Sequence, residues 1–326
     1  MSRLRTWFGP AALSIMITGP ANSQSASFTG PVSGFVYSHA TRMIRPLFGI
    51  PGATYVGPPV MKGLDSASIA PGGAWAFTTR SRRGSLVNGL LQLSPRPVSL
   101  TGLIEEADLI AWSRDGSFAL LYDSKGGQLQ RIRLSATTAS AEPPLDLSLW
   151  GKATALAIDP TGQKIAFGVP GTGLYLLTVG HLPALISSMS QPIAISFDAT
   201  GVHLFAVDLG QQQILGFDSG GGAFLFASLV QPNGSVLSPT GLGVSGGGRY
   251  LLVSDTSRQA VLVYEIASQS LSSIIPLAFP PSRLEALSSS PSFVLNGTDP
   301  RQSILILDAT QNPSVYFVPA PGDPRQ

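Results

Sequence analysis

The stretch IAWSRDGSFALLYD, residues 110–123, decides the fold of this chain, because it has the pattern of two strands joined by a tight turn. An Asp-Gly pair between two apolar runs is a strong short-range signal for a β-hairpin. Near-copies recur along the 326 residues, and their turns align at Gly73, Gly116, Gly162, Gly201, Gly248 and Pro291. The spacings run from 39 to 47 residues and average about 44. That period, made of strands and turns, is typical of the blades of a β-propeller.

Two neighbouring columns of this alignment predict how the repeats pack. Four residues before the turn, every repeat has a bulky apolar residue: Ile69, Trp112, Ile158, Phe197, Val244 and Leu287. One position earlier, the residue is always small: Ser68, Ala111, Ala157, Ser196, Gly243 and Ala286. Adjacent strand residues point to opposite faces of a sheet, so a bulky side chain can fill the space over a small one on the next repeat. The pattern therefore predicts sheets that interlock face to face around a common axis.

Each repeat continues through three further strands, which predicts an all-β propeller of four-stranded antiparallel blades. Six full repeats are expected, near residues 64–101, 108–147, 153–188, 192–230, 239–278 and 283–320. The stretch GFVYSHATRMIRPLFGI, residues 34–50, adds an N-terminal hairpin that would form a partial blade. We favour seven blades, and a six-bladed ring with an added hairpin is the alternative.

Residues 1–23 are predicted to be a signal peptide. Arg3 and Arg5 precede the apolar run WFGPAALSIMI, and small residues stand at positions 21 and 23 before the expected cut. A buried first strand is the alternative interpretation. Cleavage would leave a single domain, residues 24–326, in the periplasm or outside the cell. No later stretch is long and apolar enough to span a membrane.

Charge and cysteine content exclude several classes of function. Loss of Arg3 and Arg5 with the signal peptide would leave 18 Lys and Arg against 18 Asp and Glu, so no nucleic-acid partner is expected. The chain has no cysteine, which excludes thiol catalysis, cysteine-ligated zinc and lipid attachment through a thiol. Only 12% of the residues are charged, as expected for sheets that are covered on both faces.

The sequence gives no catalytic residue, metal ligand or cofactor. No two of His39, His181 and His203 have a metal-ligand spacing, and His203, in the aromatic column two residues after the turn, should pack between blades. Residues 241–246 match G-x-G-x-x-G, but they form a blade strand rather than the start of a helix. The aspartates in and beside the turns should bond local backbone amides: Asp115, Asp123, Asp159, Asp198, Asp208 and Asp255.

Two sets of residues are candidates for ligand binding. The first should ring the channel mouth, where the first strands begin: Asp65, Asp108, Thr154, Thr240 and Arg283. The second places basic side chains in four of six equivalent turns between second and third strands: Arg80, Arg82, Arg83, Lys125, Arg258 and Arg301. Such turns would suit anionic sugars or acidic protein segments, and solvated polar turns are the alternative interpretation.

The turns SRDGS, DPTGQ and DATGV resemble those of exported bacterial propellers of the WD-repeat-like and YVTN types. The tails VDLGQQQILGFD and SDTSRQAVLVYE are similar to the second and third strands of such blades. The resemblance covers about residues 34–320 and implies the architecture, which hosts many unrelated activities. The Trp-Asp dipeptide of true WD repeats is absent.

These observations predict a non-catalytic binding propeller, a monomer whose partner is an envelope protein or a glycan. The alternative is a lactonase-like hydrolase with its site at the channel mouth. That activity would need a divalent metal or an acid–base pair, for which Asp65 and Asp108 are the candidates. A purely structural role in a larger envelope assembly is a third possibility.

Overall fold

A computed structural model describes residues 30–218, 222–287, 291–296 and 301–320 of the chain. Within these ranges the structure is all-β, and its strands form seven antiparallel sheets. The chain is therefore a seven-bladed β-propeller, and the prediction of seven blades rather than six is confirmed. No helix in the described part of the chain could cross a membrane. The predicted signal peptide, residues 1–23, lies outside the described residues.

Each blade is built from consecutive strands of the chain. Blade 1 contains β1 (Val32–Ser38), β2 (Met43–Ile50), β3 (Ala53–Val56) and β4 (Met61–Lys62). Blade 2 contains β5 (Ser66–Ile69), β6 (Trp75–Arg80), β7 (Arg83–Asn88) and β8 (Arg96–Val98). Blade 3 contains β9 (Leu109–Trp112), β10 (Phe118–Asp123), β11 (Gln128–Leu134), β12 (Ala139–Ala141) and β13 (Leu145–Asp146), the last two both pairing with β11.

The other four blades follow one plan, with the strands paired in chain order. Blade 4 contains β14 (Ala155–Ile158), β15 (Lys164–Val169), β16 (Gly173–Thr178) and β17 (Ala184–Ser187). Blade 5 contains β18 (Pro192–Phe197), β19 (Leu204–Asp208), β20 (Gln213–Phe217) and β21 (Ala223–Ser228). Blade 6 contains β22 (Pro239–Val244), β23 (Tyr250–Asp255), β24 (Ala260–Glu265) and β25 (Ser270–Pro276). Blade 7 contains β26 (Glu285–Ala286), β27 (Ser292–Val294), β28 (Ile304–Asp308) and β29 (Ser314–Val318).

Blade 1 differs from the others at its start. Arg42, in the β1–β2 turn, has a φ of 55°, and Arg82 and Gln212 have φ of 66° and 54° at the same place in the turns between second and third strands. We therefore assign β1 and β2 to the second and third positions of the blade. The outer position is shared by β3 and β4, which both pair with β2. The hairpin predicted at residues 34–50 is thus the main part of an N-terminal partial blade.

The ring is held by apolar cores, each shared by two adjacent blades. Trp75 of blade 2 packs in one cluster with Leu121 of blade 3, and Phe205 of blade 5 packs with Leu251 of blade 6. The last seam joins the two ends of the described chain, because Val36 of blade 1 shares a cluster with Ile306 of blade 7. Since both faces of a blade are covered, its middle strands are almost wholly buried.

Small and bulky residues interlock between blades as the sequence pattern predicts. The indole Nε1 of Trp112 donates a hydrogen bond of 2.8 Å to Ser68 Oγ on the preceding blade. At Gly243 the contact differs from the predicted one, because an added side chain would lie 2.7 Å from Leu284 of the following blade rather than against Leu287. The prediction that His203 packs between blades is wrong. Its side chain is 44% exposed, and its Nδ1 lies 2.9 Å from Asp198 Oδ2, because the carboxylate of the adjacent turn offers a nearer polar partner.

Candidate functional site

The two ends of the ring carry different turns, and each end has a cavity. We call the end with the turns between second and third strands the upper face; it includes the β6–β7 turn at residues 80–83 and the β10–β11 turn at residues 123–128. We call the end with the turns between first and second strands the lower face; it includes the turns at Gly116 and Gly162. The predicted channel mouth and the predicted basic turns both belong to the upper face.

A groove of about 590 Å³ lies between blades 2 and 3 on the upper face. It brings together three of the predicted residues, Arg82, Asp108 and Lys125, all with exposed side chains. The other polar residues that line it are Ser66, Ser68, Thr79, Glu105 and Glu106. The groove is therefore polar and of mixed charge, and its two cations come from equivalent turns of successive blades.

The two aspartates of the channel mouth fix the turns of their own blades. Asp108 Oδ1 accepts a hydrogen bond of 2.9 Å from the amide of Ser124, and Asp108 Oδ2 accepts another from the Ser124 hydroxyl. Asp65 forms an ion pair with Arg42 and accepts a hydrogen bond of 3.2 Å from the amide of Arg82. A hydrolase would need these two carboxylates to bind a metal or to transfer protons. Each of them already accepts hydrogen bonds from the turn of its own blade.

The remaining residues of the predicted mouth lie outside the groove and make local contacts. Thr154 Oγ1 donates to the carbonyl of Pro192 at 2.8 Å, and Thr240 Oγ1 lies 2.9 Å from Ser254 Oγ. Arg283 donates to Glu285 Oε2 at 2.6 Å and to the carbonyl of Asn296 at 3.1 Å. These contacts join neighbouring strands or blades.

The other predicted basic residues are spread around the upper face. Arg80 donates to the carbonyl of Lys62 at 2.7 Å, and Arg83, directly opposite it in the β6–β7 hairpin, is exposed. Arg258 donates to Gln231 Oε1 at 2.9 Å on the preceding blade. Arg301 is exposed and lies next to residues 297–300, which are outside the described ranges.

Arg42 was not predicted as a site residue, because its equivalence to Arg82 can be inferred only after the hairpin at residues 34–50 is placed as second and third strands. With Arg42, the basic residues concentrate on blades 1 to 3. In the β6–β7 turn, Ser81 and Arg82 have φ of 51° and 66°. Positive φ costs energy for residues other than glycine, and Arg42 and Gln212 have it at the same place in their turns, so this strain is a property of the turn.

The predicted roles of the turn aspartates are confirmed. Asp115 accepts from the amide of Ser117 at 3.1 Å, and Asp159 from that of Lys164 at 2.9 Å. Asp208 accepts from the amides of Ser190 and Gln191, at 2.8 and 2.7 Å, so it also ties the start of its blade to the upper turn. Within the described ranges, no three His, Asp or Glu side chains are grouped closely enough to hold a metal ion.

A second cavity, of about 170 Å³, lies at the lower end of the channel, where blades 2 to 7 all contribute to its wall. The wall is mainly apolar and includes Trp112, Leu156, Ile195 and Leu242. Arg114 also lines the cavity, and its burial lowers the pKa of the guanidinium group, although the charge of Asp198 opposes this.

Arg114 was also not predicted as a site residue. A signal was present, because the equivalent positions of the other repeats, two residues before the turn, hold uncharged residues: Pro71, Pro160, Ala199, Gly246 and Ser289.

Comparisons with known proteins support the architecture. No protein-family model matches the chain, and no curated protein matches it. Among solved structures, a chain in the crystal structure of a nidogen–laminin complex superposes with a TM-score of 0.50. It is 13% identical, and the match covers 74% of this chain and 93% of that one. At this identity the likeness shows the propeller fold alone.

Proposed function

We propose that this protein is a non-catalytic binding propeller that acts after export and holds carboxylate-bearing chains in the upper-face groove between blades 2 and 3. The observation that carries the proposal is the convergence of Arg82 and Lys125, from two successive turns, on one groove of about 590 Å³.

Charge within the groove favours a ligand with both anionic and hydrogen-bond-donating groups. Hydrogen bonds from Ser124 hold the Asp108 carboxylate in place but leave its charge, so Arg82 and Lys125 attract anions in a groove that also contains carboxylates. Glu105 and Glu106 are exposed in the same groove and would accept hydrogen bonds from donors. A glycan rich in uronic acids offers carboxylates and hydroxyls, and an acidic protein segment offers carboxylates and backbone amides. Both belong to the envelope partners expected for an exported protein.

Binding of defined oligomers tests the proposal and separates the two sources of carboxylate. The probes are fluorescent oligogalacturonate and oligoglutamate, with neutral oligogalactose and oligoglutamine as matched references. We expect one anionic probe to bind with an affinity that falls as salt rises, because exposed charges are screened. Arg82→Ala with Lys125→Ala should weaken that binding at least about tenfold, since two charge-assisted contacts are lost.

The control is a variant with the same loss of charge elsewhere, Arg96→Ala with Lys152→Ala, both exposed residues away from the groove. Equal weakening by the two double variants would mean that only net charge matters, and would overturn the assignment of the groove. Binding of neither anionic probe would also count against it.

Export and the absence of catalysis are tested separately. Protein recovered from the periplasm or the medium should begin at Gln24, by N-terminal sequencing. Purified protein should contain no stoichiometric divalent metal and should not hydrolyse lactones. Turnover that is abolished by Asp65→Asn with Asp108→Asn would instead establish the hydrolase.

A further inference from the structure

The lower-face cavity contains a cation, the guanidinium of Arg114, that forms no ion pair among the described residues. Arg114 lies in the turn between β9 and β10 of blade 3, and its Nη1 reaches across the end of the channel to blade 6. There it donates to the carbonyl oxygens of Val244 and Ser245, both at 3.3 Å. In the described part of the chain, no carboxylate lies within ion-pair distance of this guanidinium.

Asp198 lines the same cavity and its charge acts on Arg114, but its oxygens already accept hydrogen bonds within its own turn. Oδ1 accepts from the amides of Thr200 and Val202, at 3.1 and 3.0 Å, and Oδ2 lies 2.9 Å from His203 Nδ1. A guanidinium has five N–H donors, and carbonyl bonds to Nη1 alone leave donors on Nε and Nη2. A half-buried cation with spare donors is costly to desolvate, and a bound anion would offset that cost.

The walls around Arg114 are mainly apolar, with Asp198, Ser196 and Ser292 as the other polar residues, and they enclose a small volume. Trp112, Leu156, Ile195, Leu242, Leu284 and Phe293 contribute to a cavity of about 170 Å³. Sites for small molecules commonly combine such walls with one or two polar groups that fix the orientation of the ligand. An apolar body of a few carbon atoms could fill this space while an anionic head reaches the guanidinium.

We propose that this cavity is a binding site for a small monocarboxylate, such as an aryl or a short aliphatic acid, with Arg114 paired to the carboxylate. One cation beside the charged Asp198 favours a single negative charge over a phosphate dianion. Planar guanidinium and carboxylate groups can form two parallel hydrogen bonds, which would orient the acid with its apolar body towards Trp112. The site is at the opposite end of the ring from the proposed groove and does not depend on it.

Benzoate and its neutral isostere benzamide are the probes, measured by calorimetry and by the fluorescence of Trp112. We expect saturable binding of benzoate to the full protein and at least about tenfold weaker binding of benzamide, which removes the charge and keeps the shape. Arg114→Gln should lower the affinity for benzoate at least about tenfold and should change the affinity for benzamide little. Arg96→Gln, an exposed arginine on β8, is the matched control and should bind benzoate normally.

Three outcomes would overturn the proposal: no saturable binding of benzoate, equal affinities for the acid and the amide, or normal benzoate binding by Arg114→Gln. The acid–amide comparison uses the unmodified protein, so it stands even if the Gln variant does not fold. Loss of oligomer binding in the Arg82/Lys125 variant should leave benzoate affinity unchanged, which separates this proposal from the function of the groove.

Discussion

At the scale of single residues, the turns between first and second strands also hold the seams between blades. Gly162, with a φ of 69°, lies in the blade 4 turn, and an added side chain would come 2.6 Å from the ring of Phe118 on blade 3. The carbonyl of Gly162 also accepts a hydrogen bond from Arg131, whose guanidinium pairs with Glu142 at 2.5 Å. Gly162 thus adopts a left-handed backbone conformation, leaves room for the ring of Phe118 and accepts a hydrogen bond from the buried Arg131.

Gly162→Ala should therefore lower the free energy of unfolding by about 2–4 kcal/mol, from left-handed strain together with overpacking. The reference is Gly171→Ala, because Gly171 has a φ of 74° and nothing within 4 Å of the added carbon. That variant should lose only about 1–2 kcal/mol, the backbone cost alone. Urea denaturation measures both, and equal losses would show that the contact with Phe118 is unimportant.

Asp198 makes stability depend on pH in the acidic range. Burial alone would raise the pKa of its carboxyl, but hydrogen bonds from His203, Thr200 and Val202 outweigh this and lower the pKa below 3.8. A depressed pKa in the folded state contributes stability above the unfolded value, and this contribution is lost as the pH falls through the folded value.

Asp198→Asn should accordingly be less stable than the unmodified protein at pH 5 to 6. The difference should shrink as the pH falls below about 4, because the carboxyl of the unmodified protein then takes up its proton. Thermal unfolding at a series of pH values measures this. A difference that stays constant down to pH 2.5 would contradict the assignment.

At the scale of elements, the β6–β7 hairpin is the clearest case in which the local sequence opposes the local structure. Ser81 and Arg82 both have positive φ, as in a type I′ turn, which favours Asn-Gly. Arg80 and Arg83 are directly opposite each other at the end of the hairpin, and like charges in that position are unfavourable. The proposed role of Arg82 in anion binding would account for a turn sequence that does not favour stability.

Ser81→Asn with Arg82→Gly should raise the free energy of unfolding by about 1 kcal/mol, because both residues then tolerate the turn. The same variant should weaken binding of the anionic oligomer, since one of the two cations of the groove is gone. Urea denaturation measures the change in stability, and the fluorescence anisotropy of the labelled oligomer measures the change in binding. A gain in stability with unchanged binding would show that Arg82 takes no part in the site.

At the scale of the whole molecule, we expect the described blades to unfold as one cooperative unit, because each apolar core belongs to two blades. The seam between blades 7 and 1 closes the ring through packing of Ile306 against Val36 and Leu47, with no strand pairing across it among the described residues. Ile306 is fully buried there. A destabilising substitution at this seam should therefore lower the stability of blades on the far side of the ring as well.

Ile306→Ala should lower the free energy of unfolding by about 2–5 kcal/mol, as expected for a buried cavity. Ile274→Ala, in which the side chain is 44% exposed on an outer strand, should cost less than about 1 kcal/mol. Far-UV circular dichroism and fluorescence of Trp75 and Trp112, in blades 2 and 3, should report one common transition. A separate, early transition in the seam variant would contradict the single unit.

The sequence by itself determined the repeat, the blade and the role of the turn aspartates. These depend on local patterns: an Asp-Gly turn, a small residue next to a bulky one, and carboxylates within a few residues of free amides. The small–bulky pair recurs in every repeat, and the turn and carboxylate patterns recur in several, so repetition made the signal clear. Seven blades were favoured because residues 34–50 carry the pattern of a hairpin, although only the tertiary structure showed which blade positions its strands fill.

The tertiary structure alone decided which side chains share a site. Arg82 and Lys125 meet in one groove, whereas Thr154, Thr240 and Arg283 do not join them, because blade twist and local hydrogen bonds direct each side chain separately. His203 turned to its own Asp198 instead of a neighbouring blade. Arg114 meets carbonyls 130 and 131 residues away only because the ring closes. Contacts across the axis depend on the curvature of the whole ring, which no local stretch of sequence encodes.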